Sequence, residues 1–305
     1  MMEEFVWVEK YRPRNLEELI LPEEYSNIFQ KFIDEGKIPN LLFTSTNPGL
    51  GKTSLARILA KETNADILTL NGNRETGIDH FRGRLIDFCS SLAIDTDTKI
   101  VFIDEAENLS SLAVDSLKST IEQFTNVSFI FTANFVEKIP EAVRNRLQHY
   151  DFDEIYYSNK KEVMKSALKR LIYICEKENI TYKKEDLLEI LKVYYPSIRG
   201  SIKILQQLSM SGELVLTNKL KEQGNIYNIL LEDIKNKNFG EMRQEITKVL
   251  DPGAFYTFCF KNLDFFEDKV KPKVILTLAK YQDMDSRARD KQINLAACLV
   301  ELMLL

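Results

Sequence analysis

Residues 44–54 read TSTNPGLGKTS, and two glycines, a lysine and two hydroxyls follow one another there in the order a phosphate-cradling loop requires. Gly49 and Gly51 free the backbone on either side of Leu50 to aim successive N–H groups at one anion. A helix beginning near Thr53, with Ser54 in its first turn, adds the partial positive charge of its N-terminus. Lys52 brings a full charge to the outer phosphates of a nucleotide, and the Thr53 hydroxyl is suited to ligate Mg2+. The motif G-x-x-x-x-G-K-[ST] opens on glycine, whereas this loop opens on Thr46. That position precedes the amide cradle and demands glycine only if its φ is positive, so the loop is expected to hold a nucleotide.

A second group of residues could act on what the loop holds. In KIVFIDEAE (99–107) an apolar segment delivers two acids to its end. Asp104 is placed to hold a Mg2+ shell, and Glu105 to polarise a water for in-line attack on a γ-phosphate. VSFIFTAN (127–134) ends on Asn134, an uncharged group able to orient that water or touch the γ-phosphate. PEAVRNRLQHYDF gives a short helix carrying Arg144 and Arg146 into the last apolar segment. An arginine there can reach the phosphates of a neighbouring subunit, and the residues alone leave that reading and an ordinary surface arginine both open. In YYPSIRGSIKIL, Ser197 fits an N-cap and Arg199 falls in the first helical turn, where a cation opposes the macrodipole by about 0.3–1 kcal/mol. A nearby anion removes that penalty, so Arg199 is expected to sense the nucleotide state.

Strands and helices must position these groups. Short apolar runs at 41–45, 66–70, 99–104, 127–133 and 148–152 alternate with helix-length segments at 53–63, 78–93 and 112–124. That alternation indicates a parallel sheet covered by helices, with ligands at the carboxyl ends of its strands. Beyond about residue 158 the strand signals stop, and apolar residues recur at helical spacing, first in a three-helix unit and then, after a polar stretch at 217–225, to the end of the chain. The division expected is a nucleotide-binding α/β domain over 1–155, a helical lid over 156–220 and a helical domain over 221–305.

Composition narrows the class further. With 44% hydrophobic and 29% charged residues in 305, the chain has the make-up of a soluble globular protein of two or three domains. A net charge of -5 means that nucleic acid would have to meet a local basic patch. The four cysteines are far apart and form no C-x-x-C pair, which argues against a zinc module or a disulfide framework and suits a reducing cytoplasm. MMEEFVWVEK is acidic where a signal peptide would be basic, and INLAACLVELMLL reads as a buried amphipathic helix rather than a bilayer span.

These motifs in this order resemble the AAA+ ATPases. VEKYRP (8–13), LNGNRETGID (70–79), IDEAE (103–107), TAN (132–134), RNRL (144–147) and PSIRGSI (196–202) are similar to clamp-loader subunits, both the replication factor C small-subunit branch and, more closely, the large-subunit branch of T-even-type phages. The resemblance covers roughly residues 7–215. It implies an ATPase with ATP and Mg2+ as ligands, working in a five-membered assembly joined through a C-terminal helical collar, that opens a sliding clamp and places it on primer-template DNA. It puts Val8, Glu9, Lys10, Tyr11 and Ile20 around the adenine and makes Arg146 a finger acting in trans, although Asn145-Arg146-Leu147 stands where the family has Ser-Arg-Cys. It also implies sequence-independent contact between the DNA backbone and Thr76, Gly77, Arg82 and Lys118; without it, NRETGIDHFRGRL would read as a solvated helix face. Glu107 replaces the aspartate that closes the family's acidic quartet, a change expected to be silent. The alternatives are another AAA+ motor such as a branch-migration helicase, and a scaffold subunit that binds ATP without hydrolysing it.

Overall fold

The structure, a computed structural model, describes residues 5–73, 78–92, 98–216, 218–249, 252–285 and 287–305. The chain forms two compact units, residues 1–214 and 215–305. The first is built on five parallel strands: β1 (Leu41–Thr44), β2 (Asp66–Asn71), β3 (Lys99–Asp104), β4 (Val127–Ala133) and β5 (Gln148–Asp151), in the order β2-β3-β4-β1-β5. The central strands LLFT, KIVFID and VSFIFTA are buried almost throughout, because helices cover both faces of the sheet and leave no side for polar residues. The two edge strands carry the polar positions, DILTLN and QHYD.

Register brings the strand ends together. Thr44 lies opposite Ala133 and Asp151, and Ile103 opposite Phe131, so Ser45, Asp104 and Asn134 leave the sheet as neighbours. The expected fifth strand runs one residue too far. Phe152 opens a helix because the Asp151 side chain accepts hydrogen bonds from the N–H groups of Asp153 and Glu154, an N-cap that ends the strand.

The helices of this unit are α1 (Trp7–Lys10), α2 (Glu23–Asp34), α3 (Lys52–Glu62), α4 (Ile78–Ser90), α5 (Ser111–Gln123), α6 (Glu141–Arg144), α7 (Phe152–Ser158), α8 (Lys160–Lys177), α9 (Lys184–Tyr194) and α10 (Ile198–Leu208). One sheet face packs Leu42, Val101, Ile103, Phe129 and Phe131 against Phe81 and Leu85 of α4 and Leu117 and Ile121 of α5. Elsewhere, Phe43 meets Phe29 of α2 and Phe152 of α7 with ring centroids 5.8 and 5.7 Å apart. The short α1 is held far from its place in the sequence: Gln206 of α10 accepts the Trp7 N–H at 3.1 Å and donates to the Phe5 carbonyl at 2.5 Å.

The second unit is helical among its described residues: α11 (Asn218–Asn236), α12 (Phe239–Ile246), α13 (Pro252–Lys261), α14 (Lys271–Asp285) and α15 (Lys291–Met303). Its core joins Leu230, Met242, Phe255, Leu278 and Leu299. The terminal INLAACLVELMLL lies in α15 as far as Met303, a helix capped by Asp290, with Leu295, Cys298, Leu299 and Leu302 buried at the spacing of one helix face. All four cysteines are buried and free. No helix among the described residues is long and apolar enough to cross a membrane.

Candidate nucleotide site

The loop between β1 and α3 answers the question its Thr46 raised. The two glycines carry the unusual backbone, Gly49 at φ 85° and Gly51 at φ 104°, while Thr46 stays outside the left-handed region. Thr46 instead gives the loop an anchor. Its N–H and hydroxyl donate to Asp153 of α7 at 2.6 and 2.7 Å, and the Asn47 amide and Ser45 hydroxyl add bonds at 2.8 and 3.1 Å. Burial pushes the Asp153 carboxyl up, but these donors outweigh it and hold the group below its ordinary value. The far side of the loop meets α10. A Cβ on Gly49 would stand 2.6 Å from the Arg199 Cβ, and the Ser197 hydroxyl donates to the Pro48 carbonyl at 2.9 Å while capping the Gly200 N–H at 3.1 Å. Ser197 is therefore an N-cap in the structure too, and Arg199 lies in the first turn beside the loop.

Lys52 is buried beneath the loop, where its ammonium donates to the Ser45 carbonyl (3.1 Å) and Asn134 Oδ1 (3.0 Å). Burial draws its pKa below the ordinary lysine value, partly opposed by Asp153, Glu107 and Asp104. A buried cation in that condition gains from a bound anion. The Thr53 hydroxyl donates to Asp104 Oδ1 at 3.0 Å, and the Thr132 hydroxyl to the same oxygen at 2.6 Å. A hydroxyl and a carboxylate this close are the hard oxygen donors Mg2+ takes, so Thr53 and Asp104 fit the ion. Glu105 follows at φ 56°, its N–H donating to the Thr132 hydroxyl and its carboxylate hydrogen-bonded to the Asn73 amide. The turn beneath it requires Gly72, since a Cβ there would lie 2.2 Å from the Glu105 carbonyl oxygen.

These groups border one cavity of about 370 Å³, lined from Gly49 to Ser54 along the loop and by Asp104, Glu105 and Asn134 at the strand ends. Arg199 stands at its margin, with Glu9 3.9 Å away. The cavity lining also includes the apolar Val8, Leu19, Ile20 and Ile202 and the ring of Tyr11. Tyr156 also lines the cavity, its hydroxyl between the carbonyl oxygens of Ile20 (2.6 Å) and Leu50 (2.8 Å). Arg170 fixes the wall by donating to the Tyr11 carbonyl at 2.9 Å.

Two expected pocket residues do not line the cavity. Val8 and Tyr11 are three residues apart on one side of α1 and its cap, which leaves Glu9 and Lys10 on the other. Glu9 pairs with Arg12 at 2.8 Å and Lys10 with Glu178 at 2.6 Å, and neither lines the cavity. Arg146 follows α6 in a turn rather than lying on the helix, does not line the cavity, and pairs with Glu122. Lys118 is bound to Asp115 on its own helix at 2.8 Å, and Arg82 is exposed on α4. Thr76 and Gly77 lie outside the described residues.

Sequence reasoning passed over Asp153, Thr132, Tyr156, Asn73 and Arg170, and it dismissed Glu107. Glu107 Oε1 accepts both the backbone N–H and the side-chain amide of Asn134, each at 2.9 Å. Its place beside Asp104 and Glu105 was a signal, whereas Asp153 and Tyr156 reach the loop only because β5 pairs with β1.

A model of the ATPase family associated with various cellular activities (AAA) matches residues 42–154. The sliding-clamp-loader large subunit of Enterobacteria phage T4 is 30% identical, with 98% of this chain and 96% of that protein aligned. The replication factor C small subunit of Saccharolobus solfataricus is 34% identical over 73% of this chain and 67% of its own length. The chain belongs to the clamp-loader family of AAA ATPases. A solved mutant of Thermotoga maritima RuvB superposes with a TM-score of 0.55 at 18% identity, covering 74% of this chain and 79% of its own, a likeness of fold alone. As a clamp-loader ATPase the chain binds nucleotide, and the cavity lining offers a lysine, paired acids and glycine-borne amides suited to phosphates together with apolar side chains suited to a base.

Proposed function

We propose that this chain is an ATPase subunit that couples ATP binding and hydrolysis to opening a sliding clamp and loading it on primer-template DNA. The observation that carries the reading is the convergence of Lys52, the Thr53–Asp104 pair, Glu105 and Asn134 at three adjacent strand ends under one cavity. Lys52 and the amides of Gly49 to Ser54 bind the β- and γ-phosphates, and Val8, Tyr11 and Ile20 receive the adenine. Thr53 and Asp104 hold Mg2+, which when bound neutralises charge that builds on the phosphates. Glu105 takes a proton from the attacking water, Asn134 serves the same step from the end of β4, and Arg199 reads the γ-phosphate from α10.

The remaining roles belong to an assembly. Residues 156–220 act as a lid over the nucleotide and 221–305 as a collar that joins companion subunits in a five-membered assembly; Arg146 reaches the nucleotide of a neighbour. Arg82, Thr76, Gly77 and Lys118 track the DNA backbone without reading sequence. The setting is the cytoplasm, of a host cell if the chain is phage-borne. The deciding experiment is the ATPase rate with and without primer-template and clamp, alongside the mass of the purified complex. Stimulation by both ligands is expected, and a rate indifferent to them overturns the reading. Lys52→Ala is expected to abolish ATP binding by equilibrium titration, and normal affinity in that variant contradicts the site.

A further inference from the structure

Asn134 could serve hydrolysis with either end of its amide: the NH2 would donate to a γ-phosphate oxygen, and the oxygen would accept from Lys52 or from a water. Its neighbours decide which end is presented. A lysine ammonium only donates and a carboxylate only accepts, so Oδ1 must face Lys52 (3.0 Å) and Nδ2 must face Glu107 Oε1 (2.9 Å). Flipping the amide would set NH2 against NH3+ and oxygen against oxygen. The Asn134 backbone N–H donates to the same Oε1 at 2.9 Å, so one carboxylate oxygen grips the residue at two points. The other oxygen, Oε2, is buried with no hydrogen-bond partner, so no other bond of the carboxylate competes with this grip.

We propose that Glu107 is a positioning residue that fixes the polarity of Asn134, so that the amide offers an acceptor oxygen to the site and its donor end is withheld from the γ-phosphate. This rests on the ATPase reading above. When phosphates draw Lys52 away, Oδ1 is left facing the site and accepts a hydrogen bond from one O–H of the attacking water, which keeps that proton and aims a lone pair at the phosphate while Glu105 takes the other proton.

The test uses the full chain and its purified complex, with Glu107→Ala, Glu107→Gln, Asn134→Ala and the Glu107→Ala/Asn134→Ala double variant. Glu107→Ala is expected to lower kcat about tenfold to a hundredfold with KM unchanged, the scale of a misplaced reacting group. Glu107→Gln keeps an acceptor oxygen and should recover to within about threefold of wild type. The double variant should be no slower than Asn134→Ala, a non-additivity that general loosening of the fold would not produce. The ratio of ATPγS to ADP affinity should be the same in Asn134→Ala and Glu107→Ala as in wild type, and retained ADP binding shows that both are folded. Full turnover in Glu107→Ala, additive losses, or a collapsed affinity ratio in Asn134→Ala overturns the proposal. An NMR signal separates it from the ATPase reading: the Asn134 side-chain amide resonance should move in Glu107→Ala and stay in Glu107→Gln. Wild-type chain that hydrolyses no ATP sinks the ATPase reading, whereas an amide resonance indifferent to Glu107→Ala sinks this one.

Discussion

Asp153 shows how one side chain can replace the conformational freedom of a missing glycine with bonding. The loop starts on Thr46, whose hydroxyl and N–H both end on that carboxylate, together with Ser45 and Asn47. Asp153→Asn keeps the shape but turns an acceptor into a mixed group, and it is expected to destabilise the chain by about 1–3 kcal/mol in urea unfolding. The pH sign follows from the carboxyl being held below its ordinary value in the folded state. Its contribution is present above the unfolded carboxylate pKa and is lost as pH falls through the lower, folded one. The gap between wild type and Asp153→Asn should therefore close on acidification, and a gap that widens contradicts the assignment. Lys52 has the opposite condition, a cation disfavoured by burial until an anion arrives.

At the scale of elements, turns and caps aim these side chains. Gly51 hands β1 over to α3, and Ser197 starts α10 so that Arg199 stands against Gly49. The turn after β2 must pass under the Glu105 carbonyl, where only a glycine fits. Gly72→Ala is expected to lower the melting temperature and reduce turnover strongly, because the new Cβ must displace the backbone that carries Glu105. Unchanged melting and turnover would show that the turn yields freely. Asn73, next to that glycine, holds the Glu105 carboxylate by its amide, so the β2 turn and the acid at the end of β3 move together.

For the whole molecule, the nucleotide-binding unit keeps Arg146 away from its own cavity and tied to Glu122, an arrangement suited to use by a neighbour. Arg146→Ala should leave nucleotide affinity intact and cut turnover of the assembled complex by about 10³-fold, the scale of a finger arginine. Steady-state ATPase assays on the complex check it, and a full rate removes the role in trans. Arg82→Glu should weaken DNA-stimulated ATPase activity and reduce its salt dependence while sparing basal nucleotide binding. Stimulation equal to wild type refutes the contact.

The sequence by itself determined the strand and helix alternation, the glycines and lysine of the loop, the acids at the end of β3, Asn134 at the end of β4 and the cap at Ser197. Each of these is written in residues a few positions apart, where local periodicity and turn chemistry act. Only the tertiary structure decided that Glu9 and Lys10 do not line the cavity, that Asp153 anchors Thr46, that the Tyr156 hydroxyl sits between Ile20 and Leu50, and that Glu107 sets the orientation of Asn134. The last three of these contacts join residues 27 to 136 positions apart. They depend on which strands pair and in what register, and a hydrogen bond records the distance between two atoms, which no local pattern encodes.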